Sequence, residues 1–152
     1  MIKESSPSPR RARPSQPWRV LIVNGLAVWR EALTHQINRS RDLMVCGVAS
    51  GETAAFQMVR RLRPGLVLTE ILHPPNLSFI RKLHRRHPRL KILTFSCQEE
   101  TAYARRALAA GAKGYLMKDA GGDRLVAAIR EVLRGKVVLS PAMDRQLRRQ
   151  EN

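Results

Sequence analysis

The stretch "RALAAGAKGYLMKDA", residues 106–120, contains the end of a helix and the whole of a strand. Its alanine-rich half completes a helical segment over residues 99–111, which Gly111 closes. The apolar run "GYLM" (114–117) predicts a short buried strand, and Lys118 follows it directly. A helix that leads back so quickly into a buried strand favours a sheet whose strands are joined by helices.

The same alternation runs through the chain before this stretch. Short apolar runs that predict strands occupy residues 18–23, 43–49, 66–69 and 91–95. Apolar residues at helical spacing predict helices over residues 26–37, 52–62, 77–87 and 122–135, the last with Gly135 as its C-cap. Five strand–helix pairs favour a parallel sheet covered on both faces, because parallel neighbours need crossover connections. We predict an open α/β sandwich, since a closed barrel would need about eight such units.

The length and texture of the chain predict one domain with tails. The 152 residues suffice for one domain with a real core. Residues 1–17 contain four prolines and four serines, which predicts a flexible basic tail. The domain is expected over residues 18–138, and residues 139–152 are expected to form a linker helix or a tail.

The charge is strongly basic, with 28 Lys and Arg against 12 Asp and Glu, a formal net charge of +16. Such a balance attracts acidic partners such as nucleic acid or anionic lipid, but it does not determine the fold. Many of the arginines are spread along the predicted helices, which favours ordinary solvated faces over a dedicated nucleic-acid patch.

Cysteine, histidine and hydropathy patterns exclude several classes of protein. Cys46 and Cys97 lie far apart in apolar surroundings, which predicts buried free thiols in a reducing compartment. His73, His84 and His87 lack metal-ligand spacing and are expected at the surface. No apolar run approaches the ~18 residues of a membrane span. We therefore expect a cytoplasmic protein with no metal site and no membrane partner.

Polar residues stand where the predicted strands end. Asn24 and Gly25 follow the first strand, Glu70 follows the third, Ser96 follows the fourth and Lys118 follows the fifth. In an open parallel sheet, ligands bind beyond the carboxyl ends of the strands. A carboxylate, a hydroxyl and an ammonium group converging on that edge predict a functional site, or the remains of one.

Four segments resemble the receiver domain of bacterial two-component response regulators: "RVLIVNGLAVWREAL", "RPGLVLTEI", "ALAAGAKGYLMKDA" and "LVAAIREVLRGKVVLSP". The resemblance covers about residues 19–140 and is strongest to LuxR-type regulators. It implies a flavodoxin-like fold with strand order 2-1-3-4-5. It also implies that "LSP" opens a linker helix, with Ser140 as N-cap and Pro141 as first residue. Because the chain stops soon afterwards, the helix-turn-helix output domain is expected to be absent.

The resemblance further implies a chemistry and assigns residues to it. In the family a histidine kinase supplies phosphate to an aspartate at the end of the third strand, beside an acidic pair that binds Mg²⁺. Ser96 and Lys118 match the hydroxyl and the lysine that hold the phosphoryl group, and Tyr115 matches the aromatic residue that turns inward on activation. By contrast, the acidic pair is replaced by Asn24 and Gly25.

The phosphoacceptor position holds Glu70 in place of aspartate. Its extra methylene displaces the carboxylate from in-line attack and brings it towards Lys118, so we expect an ion pair rather than a phosphorylation site. One carboxylate with one amide makes a poor Mg²⁺ site, so Mg²⁺ binding is expected to be weak or lost and no cofactor is expected. No residue is predicted to be catalytic.

The sequence therefore favours a stand-alone pseudo-receiver that acts through protein–protein contact in signal transduction and transcriptional regulation, without Asp phosphorylation. The predicted contact surface lies around the fourth helix, fifth strand and fifth helix, or in a homodimer. A basic nucleic-acid-binding adaptor is the alternative, and an active phosphoacceptor is a third, weaker possibility. The adaptor would use the terminal arginines Arg10, Arg11, Arg13, Arg145, Arg148 and Arg149.

Overall fold

A computed structural model describes residues 16–72 and 75–152. The strands are β1 (Trp18–Val23), β2 (Leu43–Ala49), β3 (Leu66–Thr69), β4 (Lys91–Ser96) and β5 (Gly114–Met117). The helices are α1 (Ala27–Asn38), α2 (Glu52–Leu62), α3 (Leu77–Arg86), α4 (Glu100–Ala110), α5 (Gly122–Leu133) and α6 (Pro141–Glu151), and a 3₁₀ turn, Lys118–Ala120, precedes α5. These bounds agree with the predicted ones to within two residues.

The five strands form one parallel sheet in the order β2-β1-β3-β4-β5, which confirms the predicted fold class and strand order. β1 lies between β2 and β3, with Val23 in register with Ala49 on one side and Thr69 on the other. The strand order therefore reverses at β1. The residues that follow β1 and β3 consequently lie next to each other at the carboxyl edge of the sheet.

Helices cover both faces of the sheet, and each strand contributes to both layers. In β1, Val20 and Ile22 pack into the layer that contains α1 and α5. Leu21 and Val23 pack into the layer that contains α2, α3 and α4. Burial on both faces explains why these strands read as continuous apolar runs rather than as alternating patterns.

The C-terminal helix α6 packs against α4. The Ser140 hydroxyl accepts a hydrogen bond from the Met143 N–H at 3.1 Å, and Pro141 occupies the first turn, as predicted for this helix start. The Ser140 N–H donates to Glu100 Oε1 on α4 at 2.9 Å. Met143 is buried in the α2–α3–α4 layer, and Leu147 packs beside it. These contacts make α6 part of the folded domain.

Several side chains lie elsewhere than the sequence predicts. Cys97 is exposed and Cys46 is half-buried, so the prediction of two buried thiols is wrong for Cys97. Its apolar neighbours belong to β4, and Cys97 itself lies just beyond that strand in the loop to α4. His84 is half-buried rather than at the surface, and its buried Nδ1 has no hydrogen-bond partner among the described residues.

The His84 ring occupies the space next to Gly111. A Cβ at Gly111 would lie 2.5 Å from His84 Cγ, and Gly111 has a φ of 122°, so glycine is required at this helix end on both counts. The predicted basic tail falls mostly outside the described residues, as do His73, Arg10, Arg11 and Arg13. In the described ranges, no helix combines the length and apolarity that a bilayer crossing requires.

Candidate functional site

The carboxyl edge of the sheet brings Asn24, Glu70 and Lys118 into direct contact. Lys118 Nζ lies 2.6 Å from Glu70 Oε1, so the ion pair expected from the sequence is formed. Asn24 Nδ2 donates to the other carboxylate oxygen, Glu70 Oε2, at 3.0 Å. Both oxygens of Glu70 are thus bonded to side chains that directly follow β1 and β5.

This ion pair is largely removed from water. The Lys118 side chain is 7% exposed and that of Glu70 is 18% exposed. The attraction between the two charges is therefore stronger than between groups at the open surface. Because removing two charges from water is also costly, the geometry must be short and each partner well bonded. The 2.6 Å distance and the second bond from Asn24 meet that requirement.

Lys118 has a second partner that sequence reasoning missed. Its Nζ lies 4.3 Å from the centroid of the Trp29 ring, which places the cation over the indole face. Trp29 in turn meets Phe95 edge to face, with ring centroids 5.8 Å apart. The helical spacing of Trp29 predicts an apolar contact for it, and only the fold brings the first turn of α1 over the end of β5.

Asn24 is held in one orientation by its own hydrogen bonds. It is buried, and its Oδ1 accepts from the Leu26 N–H at 2.9 Å, which forms an Asx turn at the start of α1. Its backbone carbonyl accepts from Arg30 Nη1 at 2.9 Å. With Oδ1 bonded to Leu26, Nδ2 points to Glu70, so the amide is a donor towards the carboxylate.

The residues at this edge do not fit a magnesium ion. Hard cations bind through oxygen ligands, chiefly carboxylates. The Asn24 oxygen is occupied, Gly25 has no side chain, and both Glu70 oxygens are bonded to nitrogen donors. Within the described ranges, no three His, Cys, Asp or Glu side chains group closely enough to hold a metal ion. Gly25 lines a small cavity of about 110 Å³ together with Asn24 and Glu70.

Ser96 and Tyr115 form a second, adjoining part of the edge. Ser96 Oγ donates to the Ile71 carbonyl at 3.0 Å and accepts from the Gln98 N–H at 2.9 Å. Tyr115 is buried, and its hydroxyl donates to the Gln98 carbonyl at 2.6 Å. Burial raises the pKa of the Tyr115 phenol, so it remains a donor at neutral pH.

These bonds separate five of the six predicted site positions into two connected sets. Glu70, Lys118 and Asn24 share one set of bonds, whereas Ser96 and Tyr115 are joined through the backbone of Gln98. The Ser96 hydroxyl bonds to the backbone after Glu70 instead of reaching the Glu70 carboxylate.

Comparison with protein families identifies the domain. The family model described as "Response regulator receiver domain" matches residues 20–130, most of the chain. This chain belongs to the response regulator receiver family. The receiver is the signalling module of two-component response regulators.

Curated relatives support the same family. This receiver is 36% identical over 131 residues to the response regulator GacA of Pseudomonas protegens, a match that covers 85% of this chain and 62% of the relative. It is 29% identical over 132 residues to the oxygen regulatory protein NreC of Staphylococcus carnosus, covering 85% of this chain and 61% of that protein. The chain therefore spans less than two thirds of the length of these relatives.

Solved structures agree on the architecture. A LuxR-family two-component response regulator from Aurantimonas sp. matches this receiver with a TM-score of 0.80 and 25% identity, covering 89% of this chain and 98% of that one. The signal receiver domain of NarL from Mycobacterium tuberculosis matches with a TM-score of 0.74 and 23% identity, covering 80% and 99%. The second likeness concerns the fold alone.

Proposed function

We propose that this receiver is a pseudo-receiver, whose switch site is held by the Glu70 carboxylate instead of being phosphorylated. It signals through protein–protein contact, in pathways of the two-component type that regulate transcription. The observation that carries the proposal is the 2.6 Å bond between Glu70 and Lys118, together with the Asn24 bond to the other oxygen.

The hydrogen bonds that Glu70 accepts make it a poor phosphoacceptor. Attack on a phosphoryl donor requires a free carboxylate oxygen aligned with the donor. Each Glu70 oxygen already accepts a hydrogen bond from nitrogen, and the described residues beside it form no fitting magnesium site to offset the charge of an incoming phosphate. In this proposal the Glu70 carboxylate stands in for a phosphoryl group and is not itself phosphorylated.

The position of Tyr115 supports a switch site that already has the arrangement associated with activation. The resemblance to receivers associates activation with an inward aromatic residue, and Tyr115 lies inward with its hydroxyl bonded to Gln98. A carboxylate carries about one charge, whereas a phosphoryl group carries about −1.5 to −2, so the mimicry is partial. Consistent with this, Ser96 remains bonded to the backbone of Ile71.

The partner in this proposal is a protein of the same signalling pathway, or a second copy of the chain. We propose that the contact surface lies around α4, β5 and α5, outside the part of α4 that α6 covers. We further propose a cytoplasmic location and no enzymatic activity of its own, since receivers act as signalling modules.

Intact-mass measurement after incubation with acetyl phosphate and Mg²⁺ tests the proposal. The wild-type chain should show no phosphoryl adduct. The triple variant N24D/G25D/E70D restores the acidic pair and the aspartate, and it should gain one adduct. A phosphoryl group on Glu70 of the wild-type chain would overturn the proposal. A triple variant that folds but stays unmodified would overturn the assignment of the three positions.

A further inference from the structure

A groove lies at the opposite edge of the sheet from the switch site. It has a volume of about 460 Å³ and lies between the end of α2 and the connection from α3 to β4. Its apolar floor includes Val59 and Leu90. The groove is lined by the basic side chains Arg63, Arg86, His87 and Arg89, and none of its described lining residues is Asp or Glu. We call these residues the basic groove.

The arginines of the basic groove are available to a ligand. Within the part of the chain that the structure describes, Arg63, Arg86 and Arg89 take part in no ion pair. All three are exposed. The Arg86 guanidinium lies over the Phe56 ring, 4.6 Å from its centroid, which orients it without neutralising it. Three charges of the same sign around one concavity, without a counter-charge, favour a polyanion.

The positive charge continues beyond the basic groove. Residues 60–91 contain a single acidic residue, Glu70, which lies at the other edge of the sheet and is bonded to Lys118. The same span contains the basic residues Arg60, Arg61, Arg63, Arg81, Lys82, Arg85, Arg86, Arg89 and Lys91. An excess of nine basic residues over one acidic residue in this part of the sequence suits a ligand with several phosphates better than one small anion.

An exposed aromatic ring adjoins the basic groove. Trp18 is 50% exposed, and its Cε3 lies 3.5 Å from the position that a Cβ on Gly65 would take. Gly65 is itself a lining residue of the groove. Indole rings beside guanidinium groups stack unpaired bases while the arginines hold the phosphates. A duplex keeps its bases stacked inside and offers no ring face to Trp18.

We propose that the basic groove binds single-stranded nucleic acid, with phosphates on Arg63, Arg86 and Arg89 and one base stacked on Trp18. Arginine suits this role because its planar fork bonds phosphate oxygens in pairs. The site differs from the terminal arginines that the sequence suggests for such a partner. The basic groove also lies on the opposite edge of the sheet from Glu70. Nucleic-acid binding and phosphorylation at Glu70 can therefore be measured independently.

Fluorescence anisotropy of the full chain with a labelled oligo(dT) of about 12 nucleotides, at about 50 mM salt, tests the proposal. Wild-type protein should bind this probe more tightly than it binds a duplex of equal length. The variant R63Q/R89Q should weaken binding at least fivefold. Its salt slope should be shallower by about 1.4, which corresponds to two lost contacts on a single strand.

The control variant R145Q/R149Q removes the same charge from exposed positions on α6, and it should weaken binding less than twofold. Equal weakening by both variants would overturn the proposal, because the effect would then follow net charge alone. No binding, tighter binding of the duplex, or binding confined to phosphatidylserine vesicles would overturn it as well.

The role of Trp18 has its own readout. Oligo(dT) should quench the tryptophan fluorescence of the wild-type chain, and W18F should lose that quenching while its circular dichroism stays unchanged. Trp29 supplies the remaining signal, since it is packed against Phe95 and Lys118. Quenching that persists in W18F would overturn the stacking contact and, with it, the preference for a single strand.

Discussion

Glu70 stabilises a lysine that would otherwise be a buried and unpaired cation. The Lys118 side chain is 7% exposed, and the Trp29 face compensates only part of its lost hydration. The change E70Q keeps the size of the side chain and removes its charge. We expect E70Q to lower the free energy of unfolding by about 2 kcal/mol, below the range for a fully buried pair because Glu70 is partly exposed. Urea unfolding at pH 7 measures this loss.

A double-mutant cycle separates the ion pair from other effects of E70Q. The variant K118M removes the cation and keeps an apolar stem beside Trp29, so E70Q/K118M contains no buried unpaired charge. The double variant should recover at least half of the stability that E70Q loses. A coupling energy below about 0.5 kcal/mol would show that the two residues do not depend on each other.

The Asp42–Arg130 pair connects the start of β2 to α5. Arg130 Nε and Nη2 donate to the two Asp42 oxygens at 2.7 and 2.9 Å. These bonds hold the pKa of Asp42 below its ordinary value of 3.8. A lowered pKa in the folded state means that the pair stabilises the fold above pH 3.8, and that this contribution is lost as the pH falls through the lowered pKa.

The variant D42N should therefore be less stable than the wild-type chain at pH 7, by about 0.5 kcal/mol, since both side chains are a third or more exposed and solvent screens the pair. The difference in stability between D42N and the wild-type chain should shrink to zero at pH values low enough to protonate the Asp42 carboxylate in the folded state. Urea unfolding at several pH values checks this. A difference that grows towards acid pH would contradict it. The change D144N, which breaks an exposed pair within α6, is the control with a smaller expected loss.

Helix α6 is held to the domain by few side chains. Met143 is buried, whereas Gln146 on the same helix is exposed. We expect M143A to release α6 and to raise amide hydrogen exchange in residues 141–151 at least tenfold, because truncating a buried methionine costs about 2 kcal/mol or more. The matched change Q146A should leave exchange unchanged. Equal exchange in M143A and the wild-type chain would show that α6 does not depend on this contact.

The elements of the fold were predictable because local patterns specify them. Apolar runs for the strands, helical spacing and the Ser140–Pro141 start all have local causes, and the strand order follows from the resemblance. The docking of α6 on α4 was not predictable, because the apolar face of a helix does not specify which element it packs against. Cys97 was misplaced for a related reason, since its burial depends on where β4 ends rather than on its neighbours.

The contacts at the carboxyl edge of the sheet were only partly predictable from the sequence. The ion pair between Glu70 and Lys118 follows from one extra methylene at the end of β3. Asn24 is a donor towards Glu70 because its own Oδ1 accepts a hydrogen bond from the Leu26 N–H. The position of Trp29 over Lys118 depends on the packing of α1 across the sheet edge. Such three-way contacts join distant parts of the chain and have no signature in any single segment.

At the scale of the whole molecule, the two edges of the sheet differ in how charge is balanced. At the carboxyl edge, the Lys118 cation has a carboxylate partner at 2.6 Å. At the other edge, the guanidinium groups of the basic groove have no ion-pair partner among the described residues. Part of the excess positive charge thus lies away from the switch site, at the edge where we propose that a polyanion binds.

The net charge of +16 should make the stability of the fold depend on salt. Self-repulsion among like charges destabilises a compact state, and dissolved salt screens it. We expect the melting temperature to rise by about 3 °C between about 50 and 300 mM NaCl, equivalent to about 1 kcal/mol for a chain of this size. Differential scanning calorimetry measures it. The variant R63Q/R89Q, with two fewer charges in the basic groove, should show a smaller rise. A melting temperature that falls with salt would mean that attractive ion pairs outweigh the repulsion.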